Sequence, residues 1–343
     1  MALLSREYWP TDGWRTCPPE DQGLDPAGIQ AAQTYLDERV PHIDSLLVVR
    51  GGYLVYEHYQ QDRAALHNVK SVTKSVTSAL AGIAIQAGDL ENIDEKIGFL
   101  LPEVFATIPD RAKREIGVSD LLTMRSGLEW AEYGPSAIQM TASPDWVRFV
   151  LERPLIHPPG TQFNYSTGDT QLLAAVIQNL TGMTLLDYAA LYLFGPLGIT
   201  TRRWPSDPQG INVGGAELKL TPRDMAKFGY LYLNGGMWSG DQIVPAAWVR
   251  ESGVYRTLFD PESPDDCETL GYGYLWWLRP QGPHESMIAV GYGGQFVYVI
   301  PALDMVVVMT GIISGAPEHF KDNRMLCRFN LVEDFIVPAA RVK

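Results

Sequence analysis

The spacing of apolar residues changes twice along this chain of 343 residues, and that change restricts the fold more than any other feature. Residues 45–50 and 53–59 are typical of strands, and Gly51-Gly52 between them predicts a two-residue hairpin turn. Residues 97–193 show helical spacing, with turn-rich loops between the apolar segments. Strand-like runs return in the last third, at residues 272–278, 286–290, 295–300 and 305–310.

Start and stop signals predict three helices outside this middle region. Asp25-Pro26 opens a helix over residues 25–39, because proline suits the first helical turn and an aspartate can cap it. A second helix is predicted over residues 71–87, where a glycine follows, and a third closes the chain over residues 319–335.

Together these elements predict an α+β fold, in which the N-terminal hairpin and the C-terminal strands share one antiparallel sheet flanked by helices. Residues 97–211 are then an inserted, mostly helical domain between residues 1–96 and 212–343 of the sheet-containing domain. We expect the active site in the cleft where the two domains meet.

The charge balance limits the partners that the chain can bind. It has 40 acidic and 27 basic residues, a formal net charge of −13, with no extended basic cluster. Nucleic acid and anionic membranes are therefore electrostatically disfavoured as partners. A small-molecule ester or amide is the expected partner, and the sequence is compatible with a homodimer but does not determine the oligomeric state.

The three cysteines, Cys17, Cys267 and Cys327, lie far apart and show no metal-ligand spacing. We interpret them as free thiols in a reducing compartment, although the sequence does not exclude one disulfide. No apolar stretch typical of a signal peptide follows Met1. The predicted localisation is cytoplasmic.

Several common catalytic motifs are missing from the sequence. No serine lies in Gly-x-Ser-x-Gly, and there is no His-Glu-x-x-His, Cys-x-x-Cys, Walker A or Gly-x-Gly-x-x-Gly motif. The chemistry is therefore expected to need neither a metal nor an organic cofactor.

One short motif, Ser71-Val72-Thr73-Lys74, carries a chemical argument. Residues three apart share a helix face, and a helix N-terminus favours developing negative charge. Burial of this apolar helix lowers the pKa of Lys74, so a neutral Lys74 could take the proton of Ser71. Alternatively, Ser71 only caps the helix and Lys74 only extends along the surface.

Two further segments supply groups that such a nucleophile needs. Tyr165 lies in a loop before a helix, where a nearby lysine cation would lower the pKa of its phenol and make it a proton relay. The backbone N–H groups of Gln295 and Ser71 could form an oxyanion hole, since Gly291-Tyr292-Gly293-Gly294 allows substrate to approach closely. A packed tyrosine and a simple hairpin turn are the structural alternatives.

In their order and surroundings these three elements resemble the serine β-lactamase and D-Ala-D-Ala peptidase superfamily, in its class C-like branch. That branch includes β-lactamase-type esterases, D-aminopeptidases and 6-aminohexanoate-dimer hydrolases. The resemblance extends from about Gly23 to Val332 and implies the β-lactamase/transpeptidase-like fold. It is carried further by four stretches, residues 121–128, 159–166, 220–226 and 271–277.

The resemblance implies a role for each matching residue. Ser71 corresponds to the nucleophile, Lys74 to the base, and Tyr165 to the tyrosine of the Tyr-x-Asn element. Tyr292-Gly293-Gly294 takes the place of Lys-Thr-Gly or His-x-Gly. Two residues depart from the class C pattern, because Thr167 stands in place of asparagine and Tyr292 in place of the lysine that attracts substrate carboxylates.

These departures favour an esterase or amidase over an efficient β-lactamase. The resemblance therefore implies a serine hydrolase, a carboxylesterase or amidase, that cleaves small esters or amides through an acyl-enzyme. The expected substrate-binding residues are Trp130, Tyr133, Thr167, Tyr292, Gly293 and Gly294. A true β-lactamase, a D-aminopeptidase or DD-peptidase, and a catalytically silent peptide-binding or regulatory relative remain as alternatives.

Overall fold

The computed structural model describes residues 6–258, 270–279, 284–312 and 331–341. Within these ranges the largest sheet has eight strands in the order β2-β1-β12-β11-β10-β9-β8-β7, and all of its pairs are antiparallel. The strands are β1 (Ile43–Arg50), β2 (Tyr53–Tyr59), β3 (His67–Asn68), β4 (Lys219–Leu220), β5 (Met237–Trp238), β6 (Asp241–Gln242), β7 (Thr257–Leu258), β8 (Gly271–Tyr272), β9 (Trp277–Arg279), β10 (Ser286–Gly291), β11 (Gln295–Ile300) and β12 (Met305–Gly311).

Helices precede, interrupt and follow this sheet. The α-helices up to residue 252 are α1 (Pro26–Arg39), α2 (Val72–Ala87), α3 (Ile97–Leu100), α4 (Pro102–Phe105), α5 (Val118–Leu122), α6 (Pro135–Ala142), α7 (Trp146–Glu152), α8 (Thr167–Thr181), α9 (Leu185–Ala189), α10 (Pro222–Leu233) and α11 (Ala246–Ser252). Short 3₁₀ or π turns occupy Pro19–Gln22, Arg111–Glu115, Ala190–Phe194, Pro301–Leu303 and Val332–Ile336, and a last α-helical turn follows at Val337–Ala339.

The sheet joins the two ends of the chain, as predicted. β1 pairs with β2, the following strand of the hairpin, and with β12, where Val48 lies opposite Val307. Gly51 and Gly52 form the turn between β1 and β2 with φ angles of 60° and 86°, which only glycine adopts at little cost. The predicted antiparallel sheet is therefore confirmed.

The strand predicted over residues 272–278 is wrong, because the chain reverses within it. β8 and β9 form a tight hairpin in which Tyr272 pairs with Trp277. The turn holds Leu275 at a φ of 60°, and its N–H donates to the Leu122 carbonyl at 3.0 Å. This reversal could not be predicted from the aromatic run, because a contact with a residue distant in sequence holds Leu275, which is not a glycine, in the left-handed region.

Two apolar cores lie on opposite faces of the sheet. One contains α1 and the C-terminal turns, and it includes Leu36 and Val337. The other extends from the sheet through α2 and α10 into the helices of residues 97–211, and it includes Val76 and Leu172. The assignment of residues 97–211 as a separate inserted domain stays a prediction.

Helix α2 lies between the sheet and the helical region. It packs against α8 on one side and β10 and β11 on the other, and 13 of its 16 residues are buried. It ends at Gly88, whose φ is 81°. The N-terminus of α2 therefore lies where the sheet and the helical region meet.

Some predictions fall outside the described residues. Cys17 is a free thiol, whereas Cys267 and Cys327 lie outside the described ranges, as does most of the helix predicted over residues 319–335. No helix within the described ranges combines the length and the apolar character needed to cross a membrane.

Candidate active site

Ser71 immediately precedes α2, and its side chain is partly accessible. It occupies the N-cap position of α2 but makes no side-chain capping bond to the helix, so capping does not account for its hydroxyl. No acceptor for its backbone N–H is present among the described residues. The hydroxyl and the amide of Ser71 are therefore both available at the helix N-terminus, where the backbone favours an anion.

Lys74 lies one turn into α2 and is 1% exposed, which excludes the surface-lysine alternative. Its Nζ is 3.1 Å from Ser71 Oγ, 2.9 Å from Thr167 Oγ1 and 2.9 Å from the Gly215 carbonyl oxygen. Burial lowers the pKa of Lys74, and the Glu132 carboxylate partly offsets this by favouring the ammonium form. The structure thus brings the predicted nucleophile and base together.

Tyr165 lies beside Lys74, with its ring centroid 5.0 Å from Lys74 Nζ. Its ring packs against Tyr272 and Trp277 at centroid distances of 6.1 and 5.5 Å. Burial raises the pKa of the Tyr165 phenol well above 10, although a hydrogen bond with Ser71 acts in the opposite direction. The expectation that a neighbouring cation lowers this pKa is therefore wrong, because burial, with smaller contributions from Tyr272 and Glu132, raises it.

Glu132 is a site residue that the sequence analysis did not single out. Its Oε1 is 3.9 Å from Lys74 Nζ and accepts a hydrogen bond of 2.5 Å from Thr167 Oγ1. Its Oε2 accepts from Trp130 Nε1 at 2.6 Å and from the Thr167 N–H at 2.8 Å. An acidic residue between two aromatic ones was the only sequence signal, and it did not show that this carboxylate points inward.

Gly215 is a second residue that sequence reasoning missed. Its carbonyl accepts from Lys74, and the neighbouring Gly214 carbonyl accepts from Thr77 Oγ1 at 2.7 Å. A Cβ added at Gly215 would lie 2.3 Å from Thr170 Oγ1 and 3.1 Å from Lys74 Nζ. This segment must therefore lack side chains to lie against the catalytic face of α2.

Thr167 and Trp130 lie beneath the site and not at its mouth. Thr167 is the first residue of α8, is 8% exposed, and bridges Lys74 to Glu132 through its hydroxyl. Trp130 is 6% exposed and directs its indole N–H at Glu132. The predicted contact of these two residues with substrate stays a prediction, whereas Thr167 contacts Lys74 directly and Trp130 contacts Glu132.

Tyr133 and Tyr292 are the exposed members of the predicted substrate-binding set. The Tyr133 side chain is 79% exposed, and it is near enough to Tyr165 to contribute to the raised pKa of that phenol. Tyr292 is 42% exposed in the turn between β10 and β11. Both phenols are placed where a substrate entering from solvent could meet them.

The turn between β10 and β11 lies against the residues that precede Ser71. A Cβ added at Gly291 would come within 2.3 Å of the Val69 carbonyl oxygen. Gly293 and Gly294 follow in the left-handed region, with φ angles of 82° and 81°. Gln295 pairs with Gly291, is completely buried, and donates its side-chain N–H groups to the Gly293 and Gly311 carbonyls at 3.0 and 2.8 Å. Its predicted part in the oxyanion hole stays a prediction.

Known proteins share both the sequence pattern and the fold of this chain. A family model described as Beta-lactamase matches residues 31–325, which is most of the chain. The 6-aminohexanoate-dimer hydrolase of Paenarthrobacter ureafaciens is 23% identical over 285 residues, covering 77% of this chain and 71% of the relative. The lovastatin esterase of Penicillium rubens is 25% identical over 236 residues, covering 54% of this chain and 59% of the relative.

Among solved structures, that of EstCE1, described as a hydrolase with promiscuous acyltransferase activity, superimposes with a TM-score of 0.74. It is 16% identical in sequence, and the match covers 92% of this chain and 99% of the other. This likeness confirms the predicted fold class, and the family match confirms the predicted resemblance.

Proposed function

Since the chain belongs to the beta-lactamase family and is a serine hydrolase of that family, we propose that it cleaves ester or amide bonds of small molecules through an acyl-enzyme on Ser71. One observation carries this proposal. Lys74 Nζ is buried, has a lowered pKa, and lies 3.1 Å from Ser71 Oγ. A general base for a serine requires such a distance, and a lowered pKa favours the neutral amine that can accept the proton.

In the proposed reaction, Lys74 takes the proton of Ser71 as Oγ attacks the substrate carbonyl carbon. The carbonyl oxygen becomes an oxyanion, held by the backbone N–H of Gln295 and by that of Ser71, which has no acceptor among the described residues. The leaving group takes a proton from Tyr165 as the acyl-enzyme forms, and the proton held on Lys74 then restores the neighbouring Tyr165 phenol. Water, activated by the same groups, then releases the acid.

The choice of esters and amides over carboxylate-bearing β-lactams is supported by the residues at the mouth of the site. The exposed Tyr292 stands where class C enzymes have a lysine, and a phenol offers no positive charge to a substrate carboxylate. The relatives named an esterase and a dimer hydrolase support the same substrate class. Trp130, Tyr133, Thr167, Gly293 and Gly294 complete the proposed substrate-binding region.

The proposal is tested by labelling with a fluorophosphonate, followed by intact-mass measurement. We expect one adduct on the wild type and none on Ser71→Ala, because only the Ser71 hydroxyl is activated by Lys74. Ser78→Ala is a matched control on the same helix, since Ser78 Oγ is buried and has no hydrogen-bond partner among the described residues. It should be labelled as fast as the wild type.

Turnover on matched ester and amide substrates and on nitrocefin then defines the reaction. An adduct that persists in Ser71→Ala would refute the nucleophile. Nitrocefin hydrolysis far faster than ester and amide hydrolysis would identify a β-lactamase. Absence of both adduct and turnover would identify a catalytically silent relative.

A further inference from the structure

Three oxygen atoms surround the Lys74 amine. They belong to the Gly215 carbonyl, the Thr167 hydroxyl and the Ser71 hydroxyl, at 2.9, 2.9 and 3.1 Å from Nζ. Because Lys74 is 1% exposed, these three atoms determine which way its hydrogen atoms and its lone pair point. The carbonyl can only accept a hydrogen bond, whereas each hydroxyl can donate or accept.

Glu132 determines whether the Thr167 hydroxyl donates or accepts the hydrogen bond with Lys74. Thr167 Oγ1 donates to Glu132 Oε1 at 2.5 Å, so this bond uses the hydroxyl proton of Thr167. The carboxylate itself is held in place through Oε2, by the indole N–H of Trp130 and the N–H of Thr167. Towards Lys74, the Thr167 oxygen is therefore left with lone pairs alone.

Two of the positions on the Lys74 nitrogen are therefore always occupied by N–H groups that donate hydrogen bonds. One N–H donates to Gly215 and another to Thr167, both when the amine is neutral and when it is charged. The remaining position, which is an N–H in the ammonium form and a lone pair in the free amine, faces Ser71. A proton can then leave or reach Nζ along one line only.

We propose that Glu132 is a positioning residue that acts through the Thr167 hydroxyl and keeps the exchangeable position of Lys74 directed at Ser71. The proposal rests on the proposed acyl-enzyme function. The proton moves from Ser71 Oγ to Nζ as the bond from Oγ to the carbonyl carbon forms, and the carbonyl π electrons move to oxygen.

A simple counter-charge role for Glu132 predicts the opposite result. At 3.9 Å from Nζ, the carboxylate raises the pKa of Lys74. If that were its only effect, its removal would leave more neutral lysine at pH 7 and would speed acylation. The two roles can therefore be separated by the sign of one rate change.

Glu132→Gln is the first variant of the test. The amide oxygen can still accept from Trp130 and the Thr167 N–H, while its NH₂ group faces Thr167 Oγ1 and donates to it. The Thr167 hydroxyl proton is then released towards the Lys74 lone pair, in competition with Ser71. We expect kcat and the fluorophosphonate labelling rate to fall about tenfold to 100-fold, within what a general base contributes.

Two further readouts exclude a general structural defect. KM should stay within about threefold of the wild type, and the acidic limb of the kcat/KM–pH profile should move to lower pH, because the carboxylate that raises the Lys74 pKa is gone. Glu129→Gln is the matched control in the same loop, where Glu129 pairs with Arg153. It should keep wild-type kinetics.

A double-mutant cycle identifies the route through Thr167. Thr167→Val removes the hydroxyl, and it should lower kcat and the labelling rate about as much as Glu132→Gln does. Thr167→Ser keeps the hydroxyl, and its labelling rate should be at least about tenfold higher than that of Thr167→Val. In the Thr167→Val background, adding Glu132→Gln should lower the labelling rate by a further factor of less than about three, because no hydroxyl remains to orient.

Unchanged or faster labelling of Glu132→Gln would overturn this inference, as would full additivity with Thr167→Val. If Glu132→Gln does not fold, as judged by its melting transition, the Thr167→Ser and Thr167→Val comparison decides, and equal rates would overturn the proposal. Ser71→Ala keeps the two proposals separate. Its labelling would refute the nucleophile, whereas an inert Ser71→Ala beside an unaffected Glu132→Gln would refute only the role of Glu132.

Discussion

Lys70, the residue before the nucleophile, holds its backbone at a φ of 49°, a left-handed conformation that is uncommon for a lysine. Its N–H donates to Asn68 Oδ1 at 3.1 Å, and its Nζ lies 2.9 Å from Glu217 Oε1. Glu217 is itself left-handed, with a φ of 67°, and also accepts from Asn68 Nδ2. These bonds hold Lys70, directly before Ser71, and its partner Glu217 in left-handed conformations, and such backbone strain is common at functional sites.

For Tyr165, another single residue of the site, the raised pKa of the phenol determines which proton transfers it can carry out. A phenol whose pKa lies well above 10 keeps its proton at neutral pH, so it can give a proton but is a poor base. Lys74, with its lowered pKa, is the better base of the pair. The two environments therefore assign opposite tasks to two neighbouring groups.

Tyr165→Phe should slow the cleavage of a substrate more, the more its leaving group depends on receiving a proton. A p-nitrophenolate leaves without protonation, whereas an alkoxide or an amine does not. We expect kcat/KM to fall at least about tenfold more on an ethyl ester than on the p-nitrophenyl ester of the same acid. Equal losses on both esters would contradict the acid role, and Tyr188→Phe, with its hydroxyl bonded to Asp89 at 3.2 Å, serves as a control.

At the scale of elements, α2 and the turn between β10 and β11 form the two sides of the site. Ser75 Oγ donates to the Leu275 carbonyl at 2.7 Å, which ties α2 to the hairpin of β8 and β9. The end of β10 approaches the backbone before Ser71 so closely that only a glycine fits at position 291. The distance between these two elements therefore sets the width of the proposed oxyanion hole.

Gly291→Ala should reduce activity by moving these elements apart. Its Cβ would lie 2.3 Å from the Val69 carbonyl oxygen, a backbone atom that cannot rotate away. We expect kcat/KM to fall at least about tenfold, since loss of one oxyanion donor costs about 100-fold or more. Gly253→Ala is the matched control, because the nearest neighbour of its Cβ is at 3.4 Å. Near-wild-type kcat/KM in Gly291→Ala would contradict the assignment of this turn to the site.

At the scale of the whole molecule, the helical region and the sheet share one core, and a buried carboxyl lies within that core. Asp169 on α8 is 1% exposed and accepts a hydrogen bond from Ser126 Oγ at 2.7 Å. Burial raises the pKa of its carboxyl to about 7. The unfolded chain releases this proton near pH 4. The stabilisation from the protonated carboxyl is therefore complete below pH 4 and is lost as the pH rises through about 7.

The melting temperature of the wild type should consequently fall between pH 6 and pH 8 by more than that of Asp169→Asn. The linked free-energy change over this range is about 1 kcal/mol, which corresponds to about 2 °C for a chain of this size. Calorimetry at both pH values measures it, with the exposed Asp62→Asn as the control. A parallel fall in wild type and Asp169→Asn would show that Asp169 does not titrate in this range.

Local patterns in the sequence were enough to predict several elements. Pro26 and Gly88 marked helix ends, and Gly51-Gly52 marked the first hairpin, because each signal acts within a few residues. The reversal between β8 and β9 was missed, since Leu275 is held there by Leu122, which lies far away in sequence. The burial that raises the pKa of Tyr165 was missed for the same reason.

The sequence by itself determined that Ser71 and Lys74 lie one helical turn apart, because the spacing of three residues fixes this in any helix. Only the tertiary structure decided what surrounds Lys74. Gly215, Thr167 and Glu132 come from separate segments, and the direction of a buried hydrogen bond depends on every neighbour at once. For that reason the base could be named from the sequence, whereas the residue that we propose orients it could be found only in the folded chain.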